Sequence, residues 1–105
     1  MEKESKTFSI EVEGVVQGVG FRPFIYHLAK ELDLKGFVQN TRKGVYIEVS
    51  GNIDTINKFI NHIKYDHPPL AIIKDLKFFE TVEKNFNTFE IISSEESEES
   101  NIFLS

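Results

Sequence analysis

The sequence predicts an α+β sandwich, and two kinds of hydrophobic periodicity carry the prediction. In several short segments apolar residues alternate with polar ones, as in strands that bury one face. Between those segments, apolar residues recur at three- and four-residue spacing, which is typical of helices that pack one side against a sheet. The chain has 105 residues, 40% of them hydrophobic, which is enough for one domain with one core.

The first elements are a strand, a glycine-rich loop and a helix. Alternation begins at Thr7 and continues to about Val16, where the loop "QGVG" follows. A helix is predicted over 22–34, with Pro23 in its first turn and Gly36 just past its end. Its apolar stripe consists of Ile25, Leu28, Ala29 and Leu32.

The remaining elements form a hairpin, a second helix and further strands. In chain order they are predicted at about 36–41, 44–51, 53–65, 71–82 and 86–92. Asn52 is the predicted N-cap of the second helix, and "DHPP" ends that helix. The order β-α-β-β-α-β predicts a ferredoxin-like sandwich, an antiparallel sheet with two helices on one face and an optional short fifth strand.

Composition excludes several classes of protein. The formal net charge is −5, but the four Glu in residues 93–105 account for most of it, and the rest of the chain is nearly neutral. That balance argues against a nucleic-acid binder. We expect residues 93–105 to be an acidic, disordered tail or linker behind a domain at 6–92. The lack of cysteine, of a secretory signal and of a long apolar run favours the cytoplasm and no membrane partner.

Metal and cofactor chemistry finds no support in the sequence. His27, His62 and His67 lack metal-ligand spacing, and no cysteine assists them, so we expect them at the surface or its rim and predict neither metal nor cofactor. Glu11 and Glu13 alternate outward on the first strand, as on a solvated sheet face.

The segment "QGVGFR" lies where a strand ends and a helix begins, which is where anions bind. Helix-start amides lack partners, Gly18 and Gly20 allow close approach, and Arg22 adds a fork-shaped cation suited to phosphate oxygens. The alternative is a tight turn with a surface arginine. The dinucleotide-binding signature is excluded because it needs a third glycine where Pro23 stands. The Walker signature is excluded because its Gly-Lys-Ser/Thr ending is missing.

A second polar position closes the second strand. The carboxamide of Asn40 offers donors and an acceptor and can hold a water at a fixed angle, although Asn40 can also simply start the turn. Arg42 and Lys43 on the same hairpin either raise the local positive potential or are ordinary solvated charges.

These two segments resemble the signatures of the acylphosphatase family. The loop signature G-x-V-Q-G-V-x-F-R is matched by Gly14, Val16, Gln17, Gly18, Val19, Phe21 and Arg22. The second signature, G-F/Y-V-x-N-x-x-x-G, is matched by Gly36, Phe37, Val38, Asn40 and Gly44. The resemblance covers about residues 6–92.

The residues "RPF" at the end of the loop signature indicate one branch of this family. "VQGVGFRPFIYHLA" is similar to the N-terminal acylphosphatase-like domain of HypF-type carbamoyltransferases, which mature [NiFe] hydrogenases. Val45 directly after Gly44 makes the second segment one residue shorter than is usual in acylphosphatases, which favours the same branch. This resemblance implies downstream zinc-finger and nucleotide-binding domains as partners in the parent chain, together with a small-molecule acyl or carbamoyl phosphate.

The family also implies roles for individual residues. The phosphate-binding loop would consist of Gln17, Gly18, Val19, Gly20, Phe21 and Arg22. Arg22 and Asn40 would be catalytic, Arg22 holding the phosphoryl group and Asn40 orienting the attacking water. The implied reaction is hydrolysis of carbamoyl phosphate to carbamate and phosphate. The alternatives are a stand-alone acylphosphatase of broad specificity and a non-catalytic phosphate-binding module.

Overall fold

Seven elements make up residues 5–92, the part of the chain that the computed structural model describes. They follow the predicted order, with a helix after the first strand and another after the third. The elements are β1 (Ser5–Val15), α1 (Phe21–Glu31), β2 (Lys35–Asn40), β3 (Gly44–Asn52), α2 (Ile53–Asp66), β4 (Ile72–Thr81) and β5 (Phe89–Ile92). The predicted ferredoxin-like sandwich is confirmed, with a short fifth strand, whereas the predicted tail at 93–105 lies outside the described residues.

The strands form one sheet in the order β4-β1-β3-β2-β5. The first four pair antiparallel as predicted, but β5 lies parallel to β2, so the complete sheet is mixed. One row across the sheet marks the end at which β4 stops and β2 begins: Thr81, Thr7, Ser50 and Lys35. The chain leaves β4 at that end of the sheet and enters β5 at the same end. Because β2 also begins there, β5 runs parallel to β2.

The end of α1 corrects one prediction. The helix stops at Glu31, earlier than predicted, and Asp33 takes the left-handed conformation, with φ 57°, in the turn that follows. Aspartate is one of the few residues that tolerate this conformation. Gly36 lies inside β2, as the strand predicted at 36–41 requires, but it does not stop the helix as predicted. A Cβ on Gly36 would lie 1.9 Å from the Glu48 carbonyl oxygen, so the close approach of β3 requires glycine there.

Both helices pack on one face of the sheet, and the core lies between the two layers. Asn52 caps α2 as predicted, its Oδ1 accepting a hydrogen bond from the Thr55 amide at 2.9 Å. The apolar residues of the alternating strand segments and of the helical segments supply most of the core: Ile10, Val12, Ile25, Leu28, Ala29, Val45, Ile47, Val49, Ile56, Ile60 and Ile63. No helix within residues 5–92 has the length and apolar character needed to cross a bilayer.

The opposite face of the sheet is partly covered by the connection from β4 to β5, residues 82–88, which we call the outer strap. Several polar side chains on this face are buried: Thr7, Ser9, Glu48 and Ser50. Lys84 makes three hydrogen bonds to the strands below: its amide donates to Thr7 Oγ1 at 3.0 Å, its carbonyl accepts from Ser50 Oγ at 3.2 Å and its ammonium donates to Glu48 Oε1 at 2.9 Å.

The Glu48 carboxyl is held ionised by these contacts. Burial alone would raise the pKa of Glu48, but hydrogen bonds from Lys84 and Tyr46, together with the Lys84 charge, bring it below its usual value. Burial, with the hydrogen bond to Glu48, raises the pKa of Tyr46. Because the pKa of Glu48 is depressed in the folded state, its contribution to stability is present above the unfolded-state pKa. That contribution is lost as the pH falls through the folded-state pKa.

Lys84→Met should lower the free energy of unfolding at neutral pH by about 1–2 kcal/mol, because a buried carboxylate loses a charged hydrogen-bond donor. The deficit should shrink on acidification, since a protonated Glu48 gains nothing from the ammonium. Urea unfolding of both proteins between about pH 3 and pH 7 measures this. Lys77→Met is the matched control, since Lys77 lies 3.9 Å from Asp75 in an exposed pair of little energetic weight. A deficit that does not vary with pH would contradict the ion pair.

Candidate active site

The loop between β1 and α1, residues 16–20, is shaped by two glycines. Gly18 and Gly20 have φ values of 74° and 82°, a conformation that side-chain-bearing residues rarely adopt. A Cβ built on either glycine meets no atom of the described chain within 4 Å, so the space above the loop is open. Val19 between them packs against the core. The loop is therefore anchored at Val19 and accessible at its glycines.

The backbone amides of this loop have no partners within residues 5–92. Neither a carbonyl nor a side chain there accepts a hydrogen bond from the amides of residues 17–22. Gly20 occupies the N-cap position of α1, and no side chain caps the helix. The dipole of α1 adds positive potential at the same place. The loop and the first helical turn thus offer several N–H donors to one anion.

Arg22 lies half-buried in the first turn of α1, beside these amides. Its side chain makes no hydrogen bond or ion pair with any other residue in 5–92. Pro23 follows within the same turn, as predicted, where its missing N–H sacrifices no helical bond. The guanidinium is therefore available to an anion that also meets the loop amides.

Asn40 ends β2 and faces the helices, because it pairs with Val45 on the core side of the sheet. The residue is only 8% exposed, and its Oδ1 is buried without a hydrogen-bond partner among residues 5–92. Leaving a buried acceptor unpaired costs about 1–3 kcal/mol, so such atoms mark places where a water or ligand binds.

The Gln17 side chain joins the loop to the hairpin between β2 and β3. Its Nε2 donates to the Thr41 carbonyl at 2.5 Å and to the Gly44 carbonyl at 2.9 Å. Because Thr41 directly follows Asn40, the segments that carry Arg22 and Asn40 are tied together. The sequence placed Gln17 in the loop but gave no sign of this contact, since both acceptors are backbone atoms more than twenty residues away.

One groove of the described chain lies away from the loop and from Asn40. It has a volume of about 460 Å³ and is lined mostly by the outer face of the sheet and by the hairpin: Glu11, Val12, Glu13, Gln39, Thr41, Arg42, Lys43, Val45 and Tyr46. Neither Asn40 nor any of residues 17–22 lines it. Its walls carry both signs of charge, so it does not have the character of an anion site.

The histidines lie where the sequence places them. His27 and His62 are exposed, and His62 pairs with Asp66 at 2.6 Å on the surface of α2. His67 is half-buried and contacts the Pro68 carbonyl at 3.0 Å. Across residues 5–92, no three His, Asp or Glu side chains gather closely enough to hold a metal ion.

Comparison with known proteins places this geometry in a family. The family model for acylphosphatase matches residues 8–91. A probable carbamoyltransferase HypF from Methanocaldococcus jannaschii is 44% identical over 92 residues, covering 86% of this chain and 12% of that protein. The acylphosphatase of Thermotoga maritima is 38% identical over 87 residues, covering 82% of this chain and 96% of that protein.

Solved structures agree with the sequence comparison. A full-length HypF in its phosphate- and nucleotide-bound form superposes with a TM-score of 0.86 at 38% identity, over 90% of this chain and 13% of that one. An acylphosphatase from Coxiella burnetii gives 0.79 at 28% identity, over 84% of this chain and 93% of that one. The chain spans about 12% of the carbamoyltransferases, whose N-terminal acylphosphatase-like domain it matches. Similarity that covers nearly all of single-domain acylphosphatases shows that this chain belongs to the acylphosphatase family.

Proposed function

We propose that this domain hydrolyses acyl phosphates and that its substrate is carbamoyl phosphate, which is split into carbamate and phosphate. The observation that carries hydrolysis, rather than phosphate binding alone, is the buried and unpartnered Oδ1 of Asn40. Amides and a guanidinium suffice to hold an anion. A hydrogen-bond acceptor adds nothing to that task, but it suits the O–H of an attacking water.

In the proposed reaction the phosphoryl group lies in the loop. The unused amides of residues 17–22 and the Arg22 guanidinium donate to its non-bridging oxygens. The Asn40 carboxamide accepts a hydrogen bond from water and directs the water's lone pair toward phosphorus. The new O–P bond forms as the bond from phosphorus to the bridging oxygen breaks. Carbamate departs with that oxygen, and the proton of the water passes to solvent.

The chemistry of the leaving group explains why so few side chains suffice. Carbamate departs as an anion, so its oxygen needs no proton from an acid. Catalysis then rests on positioning the water and on stabilising charge on the phosphoryl oxygens. Both tasks are assigned here to groups that have no other partner within residues 5–92.

The preference for carbamoyl phosphate is supported by the "RPF" extension and by the relatives named carbamoyltransferase. We propose the same setting for this domain, ahead of zinc-finger and nucleotide-binding domains in a hydrogenase-maturation enzyme. The second candidate is a stand-alone acylphosphatase of broad specificity. It is favoured by the near-complete coverage of the Thermotoga maritima enzyme.

Phosphate release tests both candidates. Rates are measured with carbamoyl, acetyl and benzoyl phosphate, for the 105-residue chain and for a full-length protein that contains it. Turnover confined to carbamoyl phosphate supports the first candidate, and comparable rates with all three support the second. Release no faster than in buffer from every substrate and both proteins would contradict hydrolysis and leave a phosphate-binding module.

Titration with inorganic phosphate should shift the ¹⁵N–¹H signals of residues 17–22 more than any others, because these amides are the unused donors. Two-dimensional NMR of the labelled chain measures this directly. Chloride at equal ionic strength is the control and should leave these signals in place. Phosphate shifts scattered over the surface, with none in the loop, would contradict the proposed cradle.

A further inference from the structure

We infer that Gln17 is a positioning residue: its side chain holds the loop against the end of β2 and does not bind the phosphoryl group. The inference rests on the proposed function, because its effect on turnover is exerted through the water on Asn40. It also refines the role that the family resemblance implies for Gln17. The backbone amide of Gln17 is a donor to the anion, whereas its side chain binds the hairpin between β2 and β3.

The donor capacity of the Gln17 side chain is fully used. A carboxamide nitrogen carries two hydrogens, and both are directed at carbonyl oxygens, those of Thr41 and Gly44. No donor remains on this side chain for a substrate oxygen. A role in holding the anion would require breaking one of these bonds.

The two acceptors make the contact specific for the hairpin. Thr41 and Gly44 are the two ends of the turn between β2 and β3, and the Gly44 carbonyl also accepts from the Thr41 amide at 2.9 Å. The Gln17 side chain therefore binds both residues between which the turn closes. The β1–β3 ladder ends at Glu13 and Gly44, and the only other backbone bond from this region to the turn, within residues 5–92, is a long one of 3.4 Å from the Gly14 amide to the Lys43 carbonyl.

The consequence is a division of labour between two segments. The donors for phosphate lie on the loop and α1, whereas the acceptor for water lies at the end of β2. Without the Gln17 contact, the loop keeps its amides and Arg22 and still binds phosphate. The distance from phosphorus to the water on Asn40 is then no longer fixed. A misplacement of about 1 Å costs about 100-fold in rate.

The test uses Gln17→Met, which keeps the length of the side chain and removes both donors. We expect kcat for the acyl phosphate to fall about 10- to 100-fold, while the dissociation constant for inorganic phosphate changes by less than about threefold. Asn61→Met, the same change of amide to thioether on the exposed side of α2, should leave both quantities unchanged. Thermal unfolding of both variants shows whether the fold is intact.

A readout without turnover separates this inference from the proposed function. In the wild-type protein, the Gln17 side-chain amide protons should exchange with solvent more slowly than those of exposed Asn57 and Asn61. Slow exchange in a protein without hydrolytic activity would support the contact and contradict only the function. A Gln17→Met variant with wild-type kcat would overturn the inference. So would a variant whose phosphate affinity falls in step with kcat, because Gln17 would then bind the anion itself.

Discussion

Arg22→Ala is expected to lower kcat/KM for the acyl phosphate by about 100-fold or more, and to weaken inorganic phosphate binding by a similar factor. Charge-assisted hydrogen bonds are worth about 1.5–3 kcal/mol, and each 1.4 kcal/mol is a tenfold change in rate. A guanidinium reaches two phosphoryl oxygens at once, so a loss at the upper end of that range is expected. Because Arg22 has no partner within residues 5–92, its removal leaves no buried group unpaired. The stability of the fold should therefore change little.

Steady-state kinetics and phosphate titration on two further variants complete this prediction. Arg22→Lys keeps the charge but loses the planar fork, so it should fall between wild type and alanine. Lys30→Ala removes a cation from the last turn of the same helix and should leave both measurements unchanged. If Arg22→Ala kept the wild-type phosphate affinity, the alternative open in the sequence, a tight turn with a surface arginine, would be correct.

The helices and strands could be predicted because each depends on local periodicity. The alternation that starts at Thr7 and the apolar stripe from Ile25 are properties of neighbouring residues. Most of their apolar side chains are buried as expected, whereas Leu32 follows the end of α1 and is only half-buried. Gly36 could not be assigned in this way. A glycine after a helical pattern suggests a helix stop. Here glycine is required because the Glu48 carbonyl on another strand leaves no room for a Cβ.

The features that the sequence hides are contacts between distant segments. The alternating pattern of β1 and β3 predicts that their polar residues face solvent. The outer strap buries some of them, because Lys84, which is distant in sequence, contacts both strands. The direction of β5 likewise depends on where β4 ends. In the candidate site, Arg22 and Asn40 could be proposed from motifs, while the Gln17 contact and the unpartnered state of Asn40 Oδ1 emerge only from the fold.

The Asn40 carboxamide is buried at a position that would suit an apolar residue, and its Oδ1 has no partner within residues 5–92. A buried acceptor without a partner destabilises a protein by about 1–3 kcal/mol, and a hydrophobic side chain of similar shape would remove that cost. The position is otherwise well suited to an apolar residue. It lies opposite Val45 and follows Val38 on the core side of the sheet. In the proposed reaction, an asparagine here would sacrifice stability for activity, a common trade-off at active sites.

Asn40→Leu is therefore expected to lower kcat by about 100- to 1,000-fold, since the water loses its fixed position, while phosphate affinity stays near the wild-type value. Its free energy of unfolding should equal or exceed that of the wild type, because the orphaned acceptor is gone. Kinetics, phosphate titration and urea unfolding measure the three quantities. Asn40→Ala guards against overpacking by the larger side chain and should show the same loss of kcat. A variant that retained turnover would mean that Asn40 only starts the turn; one that lost phosphate affinity would mean that its carboxamide holds the anion rather than the water.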